Sequence, residues 1–183
     1  MPYVEASCRT ALGLVFVIAF FGKARNRSAL AAFAETLRDL GWLSRPAWAA
    51  AAVAVTEAAV AVLLAIPATV TWGFAAGAVV LGGFTLITGA AISRGQSVRC
   101  RCFGVSDTPM SARHLLRNAT LLASALLGWL ASAGVGGSRA NPGVLTAVIG
   151  VACLAGLLMV GWDELAYLIT STGRPGRRSR WAR

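Results

Sequence analysis

VTWGFAAGAVVLGGFTLITGAAIS, residues 70–93, runs for twenty-four residues without a charge and is followed at once by RGQSVRCRCFG, residues 94–104. An uncharged apolar run of this length reads as a transmembrane helix, because about 20 such residues cross the hydrocarbon core of a bilayer. Within it, Gly73 and Gly77 form a GxxxG pair, which lets another helix backbone approach closely. The polar segment behind it carries two thiols one residue apart, Cys100 and Cys102, with Arg99 and Arg101 on either side of Cys100. The rest of the chain reads as a frame that holds this loop at a membrane surface.

Working outward, four more apolar runs suit membrane spans. The first covers about Tyr3 or Ala6 to Gly22 and is stopped by Lys23, Arg25 and Arg27. The second covers Pro46 to Ile66 and turns through Pro67, Ala68 and Thr69 into residues 70–93. After the cysteine loop, Thr108-Pro109 has the form of a helix start, and a fourth span covers about Leu115 to Ala133. A glycine-rich turn, Gly134 to Gly143, leads to a fifth, Val144 to Gly161, with Trp162 and Tyr167 as interfacial aromatics. Ser28 to Leu43 differs: Leu30, Phe33, Leu37 and Leu40 recur at helical steps opposite Glu35, Arg38 and Asp39. It reads as an amphipathic helix capped by Ser28, too charged to span, lying in the interface plane or against the bundle end. The expected fold class is therefore all-α: a polytopic membrane helical bundle of about five spans with a four-helix core, plus one interfacial amphipathic helix. The domain reading is one transmembrane unit over residues 1–173 and a basic disordered tail over 174–183.

Composition agrees. The 183 residues are 57% apolar and 13% charged, against about a quarter charged in soluble domains. The net charge of +10 does not point to nucleic acid, because the basic residues stand between apolar runs and in the tail. With five spans, fifteen basic residues fall on one side of the membrane, while Arg9 and Arg139 fall on the other. The positive-inside rule then puts the N-terminus outside, the C-terminus inside, and Cys100 and Cys102 on the cytoplasmic face. The location read from this is the plasma (inner) membrane of a bacterium, and no cleavable signal peptide is evident.

Few residues can carry chemistry. A thiolate is the nucleophile of disulfide exchange, and neighbouring arginines and a helix N-terminus stabilise it. Cys100 and Cys102 are thus the candidate catalytic pair, with Arg99 and Arg101 supporting them; the bland alternative is two incidental loop cysteines. With His114 the pair offers two sulfurs and a nitrogen to copper or zinc, short of the four ligands of a structural zinc site, so no metal is assigned. His114 can serve as a base for a thiol or simply be a polar residue at a helix start. Cys8 and Cys153 read as small apolar residues remote from the loop. Glu57 stands in mid-span, where a carboxylate costs about 2.5 kcal/mol or more and needs a partner or a proton. Its candidate partners are Lys23, Arg117, Thr85 and Thr88.

Taken together, these residues resemble the MauE family, the methylamine-utilisation membrane proteins of the wider DoxX-like group. The resemblance runs over about residues 3 to 130. It is carried by Phe21-Gly22-Lys23, the amphipathic segment, Glu57, Phe84, Arg94-Gly95, Cys100-Arg101-Cys102-Phe103-Gly104 and Arg117-Asn118. Arg101 stands where the family usually has glycine. The resemblance adds Phe103, Gly104 and Arg117 to the supporting residues. It implies a membrane protein that supports maturation of a partner whose disulfides form outside the cytoplasm, a role that would want the cysteines on the exterior, opposite to the charge reading.

The leading expectation is an integral membrane thiol–disulfide protein, a candidate thiol–disulfide oxidoreductase. Cys100 and Cys102 would exchange electrons with a thioredoxin-like protein or an exported client, and a quinone is the candidate final carrier. The alternatives are a non-catalytic assembly or scaffold subunit that uses the loop for docking, and a metal or small-molecule carrier that uses Glu57 and the CxC loop.

Overall fold

The computed structural model describes residues 1–40, 46–95, 112–133 and 141–172, with side chains in the last stretch as far as Gly161. The helices are α1 (Pro2–Ala24), α2 (Arg27–Asp39), α3 (Pro46–Ala65), α4 (Val70–Ser93), α5 (Ala112–Ala133) and α6 (Pro142–Thr172), with a 3₁₀ turn at Pro67–Thr69 between α3 and α4. All but α2 are long and apolar enough to cross a membrane, five in number. The all-α polytopic bundle expected from the sequence is what forms. The long cysteine-bearing segment between α4 and α5, Thr108-Pro109, Gly41 and the tail at 174–183 lie outside the described residues.

Each core helix turns one stripe inward. On α1 it is Leu12, Val15, Phe16, Ala19 and Lys23. On α3 it is Ala50, Ala54, Glu57, Val60 and Leu64, and on α5 it is His114, Arg117, Asn118, Leu121, Ala125 and Gly128. These steps of three and four residues are one face of a helix. Leu12, Phe16, Val60, Leu64, Phe74, Leu81 and Leu121 meet in the dry half of the core. The opposite faces are apolar as well, with Val55, Val79, Leu86 and Leu130 exposed, as suits contact with lipid tails.

Close helix approach depends on glycine at two places. A Cβ on Gly73 would stand 2.9 Å from the backbone nitrogen of Leu64, which explains the tight α3–α4 hairpin. A Cβ on Gly128 would overlap the ring of Phe74, which is fully buried in the notch it leaves between α4 and α5. Gly77 has a looser setting, 3.5 Å from Phe16 and Val60, so only half of the GxxxG pair makes a backbone-to-backbone approach.

Of the two placements expected for the amphipathic helix, packing against the bundle is what forms: Phe33, Ala34, Leu37 and Leu40 bury their face against Ala50 of α3 and Ala91 of α4, backed by Val53, Phe84 and Ile87. Two details change. The cap of this helix is Asn26, not Ser28. The Asn26 side chain accepts a hydrogen bond from the Ala29 backbone N–H at 2.7 Å, while the Ser28 hydroxyl donates to the same oxygen at 2.8 Å. An extended backbone at Asn26 suits that role. The last helix starts two residues earlier than expected, at Pro142 capped by Asn141, whose side-chain oxygen accepts from the Gly143 N–H at 3.0 Å, and it continues beyond Gly161 to Thr172.

α4 and α5 pack on one another along their length, and α1 packs on α3, α5 and α6. α6 leans on α1, where Gly156 comes against Ala11 and Leu14, while α5 and α6 hardly touch. At the far end of α1, Arg9 closes α3: its Nε and Nη2 donate to the carbonyls of Leu64 and Ala65, each at 2.6 Å. These are carbonyls that a helix end leaves without an intrahelical donor.

Candidate functional site: a buried polar layer at the loop end

The chain leaves α4 through Gly95, which takes φ +67°, a left-handed conformation that favours glycine. Its N–H bonds to the carbonyl of Ile92 at 3.0 Å, and the N–H of Arg94 to that of Ala90 at 3.2 Å. α5 begins at Ala112. The segment with Cys100 and Cys102 therefore starts and ends at the same end of the bundle, on its two most closely packed helices. Cys100, Cys102, Arg99, Arg101, Phe103 and Gly104 themselves lie outside the described residues.

Beneath those two roots the core turns polar. Among the described residues, the buried polar side chains of the spanning helices are Lys23, Glu57, Thr88, His114, Arg117 and Asn118. On α5 the change runs along one face: His114, Arg117 and Asn118 in the first two turns, then Leu121, Ala125 and Gly128. His114 is 3% exposed, so it is an interior side chain and not a polar residue at the surface.

The centre of this layer is an ion pair. Lys23 Nζ donates to both oxygens of Glu57, at 2.7 and 3.0 Å, with the two side chains 1% and 4% exposed. The same ammonium reaches the Ala19 carbonyl at 3.4 Å and stands 4.8 Å from the centre of the Phe33 ring. A desolvated cation over an aromatic face gains about 2 kcal/mol. Lys23, which the sequence offered both as a stop for the first span and as a partner of Glu57, thus turns inward and joins α1, α2 and α3. Of the other candidate partners, Thr85 donates its hydroxyl to the Leu81 carbonyl of its own helix at 2.7 Å. Arg117 and Thr88 are buried in the same layer, and Arg117 is not without a partner.

Glu57 also borders a small cavity of about 30 Å³, shared with Phe16, Phe84, Leu81, Asn118 and Leu121. That is room for about one water molecule, next to a carboxylate and a carboxamide. Asn118 and Phe33 are the members of this site that sequence reasoning did not single out for it. The signal for Asn118 was its place one residue after Arg117; Phe33 was hidden among the apolar residues of α2. Cys8 packs partly buried against the apolar core at the other end, and both Cys8 and Cys153 are free thiols, as their reading as small apolar residues requires.

Fold and site together define a multi-pass membrane helical bundle with a charged pair locked in its interior. The family model described as methylamine utilisation protein MauE matches residues 1–131, and the chain belongs to that family. The match spans α1 to α5 and ends before α6. No curated protein and no solved structure matches the chain.

Proposed function

We propose that this protein is a membrane thiol–disulfide oxidoreductase that supports disulfide formation in a partner protein, with Cys100 and Cys102 as the exchanging pair. The observation that carries this is where the CxC segment is rooted: on Gly95 and Ala112, at the end of the bundle where the buried polar side chains gather. In the exchange, a client thiolate attacks one sulfur of the Cys100–Cys102 disulfide. The other sulfur leaves as a thiolate, and the client's second thiol resolves the mixed disulfide. Arg99 and Arg101 favour the leaving thiolate. The Lys23–Glu57 pair acts below, as a clamp that fixes α1, α2 and α3 under the roots of the loop.

The test is to replace Cys100 and Cys102 by Ser, singly and together, and follow client disulfide content in cells. Loss in all three variants is expected. An unimpaired double variant would sink the oxidoreductase reading and leave a scaffold subunit, whose function should then respond to Phe103 and Gly104. The side of the membrane is read in the same cells with a membrane-impermeant thiol reagent, with and without prior reduction. Labelling only after reduction marks an exterior disulfide facing exported clients. Labelling only after the membrane is opened marks the cytoplasmic face, with a thioredoxin-like protein as the partner.

A further inference from the structure

α5 and α6 stand apart, and the seam between them, with α1 behind it, is an apolar groove. Towards the loop end it is a cavity of about 330 Å³ lined by Arg113, Leu116, Arg117, Thr120, Leu158 and Met159. One helical turn further along the same stripes, from Ser124 and Ala155 to Gly143, lies a second cavity of about 630 Å³, lined mainly by α6 and by Ser7, Cys8 and Ala11 of α1, and the two in line form one path along α6. From Met159 to Gly143 is sixteen residues of α6, or about 24 Å at 1.5 Å per residue. Among the described residues the charged side chains along it, Arg113 and Arg117, stand at one end, and that end is where the CxC segment enters α5.

We propose that this groove binds an isoprenoid quinone, with its ring at Arg113 and Arg117 and its tail running along α6, first beside α5 and then beside α1. The length suits the tail of a single occupant. A phospholipid chain stays within one leaflet, about 15 Å of a roughly 30 Å core, whereas an isoprenoid chain crosses the midplane and can fill a longer groove. At the head end the exposed Arg113 offers guanidinium N–H donors to a ring carbonyl oxygen. The inference rests on the oxidoreductase reading for its chemistry: the Cys100 and Cys102 thiols give up two electrons and two protons, one S–S bond forms, and the quinone becomes the quinol.

The experiment uses the full-length protein in phosphatidylcholine nanodiscs and an azido-benzoquinone bearing an isoprenoid tail. Photolabel should map to residues 113–120 and 155–159 and be displaced by unlabelled quinone, not by excess phosphatidylglycerol or polyprenyl phosphate. Leu116→Trp, at a side chain 70% exposed and lining the groove, should cut labelling about tenfold. Leu86→Trp, equally exposed on α4 away from the groove, should leave it unchanged. Label spread over lipid-facing residues, displacement by the anionic lipids, or a Leu116→Trp protein that labels normally would overturn the proposal. The Cys100→Ser/Cys102→Ser protein should label like the wild type, which separates the two readings. Labelling outside the groove with inactive Ser variants removes the groove and keeps the thiol chemistry. Labelling in the groove with fully active Ser variants removes the electron-transfer step.

Discussion

Lys23 and Glu57 hold most of what is unusual here at the scale of single side chains. Each is an ion that the bilayer interior would reject alone, and each is made tolerable by the other. Replacing Glu57 by Ala should therefore cost about 3–5 kcal/mol, the range for breaking a buried pair by removing one partner. The double replacement Lys23→Met/Glu57→Met should recover most of that, since well-packed apolar substitutes for a buried pair are often neutral. Thermal unfolding in detergent reads both, and a double variant no more stable than Glu57→Ala would contradict the pairing. Glu57 was legible in the sequence, because a carboxylate in mid-span demands a partner. Which of several cations and hydroxyls would answer was not, because Lys23 stands at the end of its own helix and reaches Glu57 only through the way α1 lies against α3. The part Phe33 plays at the site could not be seen: its periodicity announced an apolar face, and only docking turned that face into the floor under an ammonium group.

Helix by helix, legibility follows the solvent. α2 has a polar side, so its buried face could be read from Leu30, Phe33, Leu37 and Leu40. α3 and α4 meet lipid on the outside and protein on the inside, both apolar, so hydropathy gave their length and not their orientation. Glycine contacts supply the missing information and make a differential prediction. Gly73→Ala should destabilise the α3–α4 hairpin by about 1–3 kcal/mol, the cost of forcing atoms into a packed contact, because its Cβ would press on the backbone of Leu63 and Leu64. Gly82→Ala meets nothing within 4 Å, and should be neutral or gain up to about 1 kcal/mol from helix propensity. Unfolding midpoints of the two variants measured side by side check this, and equal losses would deny that Gly73 marks the close approach. The helix cap shows a subtler limit: Asn26 and Ser28 are both good capping types, and the choice was settled by Asn26 being the residue with extended backbone.

For the molecule as a whole, the count of spans was legible because apolar runs and basic breaks alternate along the chain. The separation of α5 from α6 was not, since nothing in either helix says that α6 will rest on α1 instead. With five crossings and the basic residues on one side, a fluorescent protein fused to the C-terminus should fluoresce, and alkaline phosphatase fused there should be inactive. The reverse pair of results would place Cys100 and Cys102 on the exterior. Arg9, on the sparsely charged side, has a role in time as well as in space. The carbonyls of Leu64 and Ala65 that Arg9 will hold lie more than fifty residues further along the chain and are made after α1. Until then its guanidinium has only headgroups and water for company. Once α3 has crossed, the same side chain becomes a latch that fastens the oldest segment of the nascent chain to one made more than fifty residues later. Arg9 can therefore join the first two spans only once both are in place.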